Sequence, residues 1–214
     1  MWSKIKKFFL ILILANILFV FWGKFFNPPI TITQISEFFQ YGKLDRDYIS
    51  YDEMGDNVKK AVLAAEDQKF FIHNGFDYDQ IEKAIEQSEK GKRLRGGSTI
   101  SQQTAKNVFL WQGRSWFRKG LEAVYTFFIE LIWGKEVILE RYLNSIEMGQ
   151  GVFGVEAASQ YYFKKNAKNL TRSEAAWIAA VLPNPKKYDP KNPTSYLNRR
   201  HSWIMRQMRN VSLK

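Results

Sequence analysis

The chain contains no cysteine, which excludes a disulfide framework and any Cys-based metal site. Cysteine-free proteins work in either redox compartment, so this absence does not locate the chain. Its two histidines, His73 and His201, are too few for a multi-histidine metal centre. No G-x-x-x-x-G-K-[ST] phosphate loop is present. Strand-like alternation is scarce, and there is no internal repeat or low-complexity tract. Acidic residues are outnumbered: 21 Asp and Glu stand against 32 Lys and Arg, a formal net charge of +11. The cations recur at both ends and through the middle, which describes a basic face rather than a basic tail. Such a face meets nucleic acid, an anionic membrane or a phosphorylated substrate.

What is present is a folding chain. Its 214 residues, 45% apolar and 16% aromatic, suffice for one compact domain plus an appendage. The appendage is N-terminal. Lys4, Lys6 and Lys7 precede the run Phe8 to Trp22, apolar except for Asn16. That run is shorter than the roughly twenty residues a spanning helix needs. Ile5 to Phe26 reaches the length if the flanking lysines snorkel. No small-x-small cleavage site follows in Gly23 to Pro29, so the expectation is an uncleaved anchor rather than a signal peptide. Lysines before the run place the N-terminus in the cytoplasm. The rest of the chain then lies outside the cytoplasmic membrane, which removes nucleic acid as a partner.

Pro28-Pro29 ends the anchor, and Ile30 to Tyr51 reads as a polar linker with little periodicity. Beyond it the pattern is helical. A helix capped by Asp56 is expected to run to about Phe71, with Val58, Ala61, Val62 and Ala65 as its apolar stripe. Asp79 to Lys90 is a second helix. Thr99 and Gln102 form a capping box that opens a third towards Phe109. Ser115 caps a long helix to Trp133, with Phe117, Leu121, Val124, Phe128 and Leu131 on one face. Arg118, Glu122, Tyr125, Ile129 and Trp133 form a second stripe on that helix, suited to a cleft wall or to a surface ion pair. Further helices are expected at Glu136 to Ser145, Gly154 to Tyr162, Ser173 to Leu182 and Leu197 to Met208. The division is 1–27 as cytoplasmic stub and anchor, 28–50 as linker, and 51–214 as one all-α domain.

Two segments carry the chemistry. Ala65 to Asp77 sets adjacent carboxylates, an aromatic pair, a histidine and a glycine close together. Glu66 lies about 40° from Val62 around the helix, on the border of the apolar stripe. A carboxylate there is partly desolvated, which raises its proton affinity and suits a general base. A surface glutamate beside a core stripe has the same placement. His73 suits a hydrogen-bonded structural imidazole. In the second segment Gly96-Gly97 leads into the helix at Thr99, where free N–H groups and the helix dipole favour an anion. Arg93 and Arg95 precede it and Lys106 follows, although a Gly-Gly pair is also a plain turn. A base and an anion cradle together suggest an enzyme that attacks a sugar carrying a phosphate leaving group. Between Trp111 and Glu122, aromatics alternate with Arg114, Arg118 and Lys119, a composition that fits a membrane interface or a helix start with core aromatics.

The order and wording of these blocks resemble the peptidoglycan glycosyltransferases of glycosyltransferase family 51, and most closely the monofunctional biosynthetic peptidoglycan transglycosylases. The resemblance runs from about Asp47 to Pro190. It rests on Glu66-Asp67-Gln68-Lys69-Phe70-Phe71-x-His73-x-Gly75-Phe76, Gly96 to Gln103 with Lys106-Asn107, Arg118-Lys119-x-x-Glu122, Ile138 to Asn144, Gly154 to Ala158, and Leu182-Pro183-Asn184-Pro185. It implies a lysozyme-like lobe with a small membrane-proximal jaw. It also implies a substrate, lipid II, that is a disaccharide-pentapeptide on a polyprenol diphosphate. On this resemblance Glu66 is the general base and Glu122 the second essential glutamate, near the donor diphosphate. Lys106, Arg114 and Lys119 bind or neutralise the leaving group, and Ser98, Thr99 and Gln102 form the polar cleft beside it. Implied partners are lipid II, the growing glycan strand, membrane lipids and other cell-wall synthases. No cofactor is implied, and no ligand cluster demands a divalent cation or other metal. Ser3 to Lys6 is the sole S-x-x-K match and no K-T-G follows, so no transpeptidase activity is expected. A lysozyme-like lytic enzyme and a non-catalytic wall-binding protein are the rival readings. The first leaves Lys106 and Arg114 without a purpose.

Overall fold

The computed structural model describes residues 2–89 and 97–214. Arg93, Arg95 and Gly96 of the expected anion cradle, and Lys90 at the expected end of the second helix, lie outside the described residues. Among the described residues, ten α-helices and three short strands follow in the order α1 (Trp2–Phe25), α2 (Ile32–Tyr41), β1 (Asp45–Arg46), α3 (Asp56–Glu66), α4 (Tyr78–Glu89), α5 (Ile100–Phe109), α6 (Trp116–Ile132), α7 (Lys135–Ser145), β2 (Glu147–Gly149), β3 (Val152–Phe153), α8 (Val155–Phe163), α9 (Arg172–Val181) and α10 (Ser195–Gln207). The strands make one small sheet in the order β1-β3-β2, with β1 parallel and β2 antiparallel to β3. The protein is therefore mainly α-helical, as expected.

Helix α1 has 24 residues and a mean hydropathy of 2.2 over its most apolar stretch, which is long and apolar enough to cross a bilayer. Its C-terminal end is docked on the rest of the chain. Trp133 Nε1 donates to Val20 O at 2.7 Å. Arg141 donates to Gly23 O at 2.9 Å, to Lys24 O at 3.1 Å and to Asn27 Oδ1 at 3.1 Å. Gly23 O and Lys24 O lie in the last turn of α1, where carbonyls lack intrahelical partners and form the negative end of the helix dipole, so the Arg141 guanidinium satisfies both. Gly23 allows the approach, because a Cβ at that position would stand 2.8 Å from the Trp133 ring. Gly23→Val is expected to force α1 away from α6 and α7 and to cost about 1–3 kcal/mol. Thermal melts of the full chain in detergent check this, and an unchanged Tm would mean that the docking contributes nothing.

Two elements differ from the sequence expectation. Residues 30–51, read as a linker without periodicity, contain α2. Thr31 and Gln34 cap it in a reciprocal box, and Thr33, Gln34 and Glu37 are its buried residues. Its inward face is polar and its apolar residues, such as Phe39 at 82% exposure, face outward, so a search for an apolar core stripe passes over it. Helix α3 stops at Glu66, five residues before Phe71. Asp67 leaves helical geometry (φ −161°, ψ 80°), because its carboxylate is engaged elsewhere. Its N-cap is Gly55, with Asp56 as the first helical residue.

The remaining helices match within a residue or two. Thr99 and Gln102 form the expected capping box on α5, and the Ser115 hydroxyl caps α6. Helix α6 presents its stripes in an unexpected sense. Arg118, Glu122, Ile129 and Trp133 are buried, while Phe117, Val124 and Leu131 are 72%, 51% and 70% exposed. Beside a helix long and apolar enough to cross a bilayer, an outward apolar stripe is compatible with membrane anchoring, since hydrocarbon in place of water removes the usual cost. Helix α5 packs against α6 and α7, and α3 packs against α9 and α10. The site forms where the end of α3 meets the start of α5.

Candidate active site

The meeting of α3 and α5 is fixed by residues that do not face the cleft. Asp67 is 2% exposed. Its Oδ2 accepts from Ile100 N–H at 3.0 Å, the first helical N–H of α5, where a carboxylate complements the helix dipole. Both of its oxygens lie 3.0 Å from His73 Nε2. Gly75 N–H donates to His73 Nδ1 at 3.2 Å, which leaves the ring proton on Nε2, towards Asp67. His73 thus has the structural role anticipated for it. Thr99 Oγ1 donates to Gly75 O at 2.6 Å. Gly75 has φ +88°, and a Cβ there would meet Thr126 Cγ2 at 2.9 Å, so glycine is the residue that fits. Asp67, His73, Gly75 and Thr99 together staple the two sequence blocks.

The staple leaves Glu66 at the last position of α3 with its side chain 17% exposed. Gln103 Nε2 donates to Glu66 Oε2 at 3.1 Å and Arg200 donates to Glu66 Oε1 at 2.9 Å. Gln103 is itself oriented, because the fully buried Tyr142 donates its hydroxyl to Gln103 Oε1 at 3.0 Å. Burial raises the Glu66 carboxyl above its ordinary 4.5, against the opposing effects of the Gln103 hydrogen bond and the Arg200 charge. Glu66 lines a cleft of about 850 Å³ with Ser98, Gln103, Tyr188, Tyr196 and Arg200, room enough for a sugar-sized ligand. A second cavity of about 340 Å³ shares Gln103 and Pro183 with the first and extends to Lys106 and to Glu37 of α2.

Lys106 lies one helical turn beyond Gln103 on the same face of α5. Among the described residues it has no ion-pair partner. Burial lowers its affinity for a proton; the Glu122 charge opposes this, and Arg118 and Lys119 add to it. A desolvated cation among other cations is a natural anion site. Glu122 is 3% exposed and holds two of those cations. Arg118 donates to its Oε2 at 2.6 Å and Lys119 bonds its Oε1. The Arg118–Glu122 pair is therefore buried, not the surface pair that its spacing alone permits. Lys106, Arg118 and Lys119 outweigh the one carboxylate among them.

The other expected site residues separate into two groups. Ser98 is exposed on the wall of the larger cleft. Arg114 is exposed in the turn before α6 and makes no hydrogen bond among the described residues. Thr99 and Gln102 are buried and spent on the α5 cap: Gln102 N–H donates to Thr99 Oγ1 at 3.2 Å and Thr99 N–H to Gln102 Oε1 at 3.0 Å. Neither lines either cavity. Gln103, one residue on, faces Glu66 instead. Gln103 and Arg200 were not singled out from the sequence. Helical phase relative to Lys106 could have found Gln103. Arg200 lies 134 residues from Glu66, on a helix expected from the sequence with no site residue on it.

Residues 32–209 match the family model described as Transglycosylase. A biosynthetic peptidoglycan transglycosylase of Mannheimia succiniciproducens is 54% identical over 171 residues, covering 80% of this chain and 70% of that protein. One from Xanthomonas axonopodis pv. citri is 48% identical over 204 residues, covering 92% and 83%. One from Shigella sonnei is 49% identical over 221 residues, covering 96% and 90%. With a staple that sets a desolvated carboxylate beside a cationic cavity, and with these likenesses along nearly its whole length, the chain belongs to the transglycosylase family and is a peptidoglycan glycosyltransferase.

Proposed function

We propose that the protein polymerises lipid II into β-1,4 glycan strands with inversion, and that Glu66 is its general base. Glu66 takes the proton of the acceptor's 4-hydroxyl as that oxygen bonds the anomeric carbon of the donor. The bond from that carbon to the diphosphate breaks, and its electron pair leaves on the phosphate oxygen. A hydroxyl is a poor nucleophile without a base in contact, and a departing diphosphate needs concentrated positive charge. Lys106 and Lys119 carry that charge, with Arg114 reaching it from the turn before α6. Glu122 holds Arg118 and Lys119 in place. Ser98 borders the acceptor side, and Thr99 and Gln102 act through the α5 cap. The observation that carries this reading is the desolvated Glu66, bonded to Gln103, one helical turn from Lys106, which has no ion-pair partner among the described residues.

In this reading residues 51–214 form the catalytic domain, and 28–50 are more than a tether, since Thr33 and Glu37 of α2 line the second cavity. α1 anchors the enzyme in the cytoplasmic (inner) membrane in a single pass. Lys4, Lys6 and Lys7 face the cytoplasm and the catalytic domain faces the periplasm. Other cell-wall synthases are the neighbours such a polymerase would serve. Purified protein in detergent is expected to convert lipid II into long glycan strands without ATP, as read by gel or chromatography of labelled product. Cleavage of finished peptidoglycan in place of polymerisation would favour the lytic reading.

A further inference from the structure

A third cavity, of about 240 Å³, lies between α1 and α6, walled by Leu12, Ile13, Ile17, Leu121, Val124 and Phe128. The two polar side chains in its lining satisfy each other. Tyr125 donates its hydroxyl to Asn16 Oδ1 at 2.5 Å, and Asn16 Nδ2 donates to Leu12 O at 2.8 Å. The remaining wall is hydrocarbon and gives a bound water no partner. The groove is also open along one side, since Leu12, Ile13 and Val124 are each about half exposed. One wall is the middle of the spanning helix, so the opening faces acyl chains rather than solvent.

Helix α6 ties this groove to the cationic cluster. Lys119 and Glu122 lie in its first turns. Leu121 adjoins Glu122, and Tyr125 stands one turn beyond it on a neighbouring face. An anion held at Lys106 and Lys119 and attached to a long apolar chain can therefore continue into the groove without leaving α6. A lipid whose headgroup does not engage the cluster gains nothing from that continuity. We propose that the α1–α6 groove seats the stretch of the donor's isoprenoid chain that lies beyond its first two units, which makes the anchor helix a wall of the substrate site. This rests on the lipid II reading above.

Val124→Trp places an indole in the groove and leaves the cationic cluster untouched. Polymerisation would be measured in detergent with lipid II carrying either its full polyprenyl chain or a short neryl chain. The variant is expected to raise KM for the full-length substrate about tenfold, the worth of two displaced methylenes, and to leave KM for the short one unchanged. Equal shifts for both substrates, or none, would overturn the groove assignment while leaving the polymerase reading intact. Absence of polymerisation by the unmodified protein with either chain would instead remove the reading underneath. A second arm does not depend on the variant folding. A photoreactive isoprenoid diphosphate is expected to label α1 or α6 of the unmodified chain, and a phospholipid of matched chain length is not expected to compete. Labelling confined to other elements, or competition by the phospholipid, would overturn the assignment.

Discussion

Glu66→Gln is expected to lower kcat for lipid II polymerisation about a thousandfold, the scale of a lost general base, with KM nearly unchanged. Glutamine keeps the shape and an oxygen for Gln103 Nε2, so the hydrogen bond of 3.1 Å has an acceptor in the variant. It removes only the capacity to take a proton. Stability separates this from damage to the fold. Burial raises the Glu66 carboxyl in the folded state, so the fold favours the protonated form, and that contribution is lost as pH rises through the raised value. A neutral side chain avoids the cost, while the Arg200 pair at 2.9 Å is given up. The melting temperature at neutral pH should therefore hold or rise. Turnover within a few-fold of the unmodified protein would mean that another group accepts the proton.

Glu122→Ala is expected to lose activity and fold stability together, unlike Lys106→Met. Glu122 is 3% exposed and is the counter-charge of Arg118, whose side chain is 10% exposed. Removing it leaves a buried guanidinium unpaired, a change that typically costs about 3–5 kcal/mol. Lys119 also loses the carboxylate that aims it. Lys106 has no partner among the described residues and is disfavoured as a cation by burial. Its replacement by Met should not lower stability, yet kcat/KM should fall about a hundredfold as one charge at the leaving group is lost. Denaturant melts and steady-state rates on the same preparations check both. A Glu122→Ala protein as stable as the unmodified one would show that Glu122 does not hold Arg118 and Lys119 in place.

The difference between these residues marks what was legible in the sequence. Capping signals are local, so the Thr99–Gln102 box and the Ser115 cap were read correctly. The cleft role of Thr99 and Gln102 is implied by resemblance alone, and their polar atoms are hydrogen-bonded within the cap at the start of α5. Glu66 was legible because its phase against Val62 implied partial burial. The partners that complete its environment were not. Gln103 differs from Gln102 only by 100° of helix rotation, and Arg200 arrives through α10 packing on α3. Helix α2 escaped notice because its polar side packs inward, Glu37 to Lys186 at 2.7 Å. The inverted stripes of α6 follow from α1 lying beside it, a tertiary fact with no local signature.

The most direct measurement is the pH dependence of kcat/KM for lipid II polymerisation by the full chain in detergent. A desolvated Glu66 acting as base predicts a single-proton acid limb centred above 4.5, the ordinary carboxylate value, with rate lost as pH falls through it. The residual rate of Glu66→Gln should lack that limb. A limb at or below 4.5, or one that persists unchanged in the variant, would contradict the assignment.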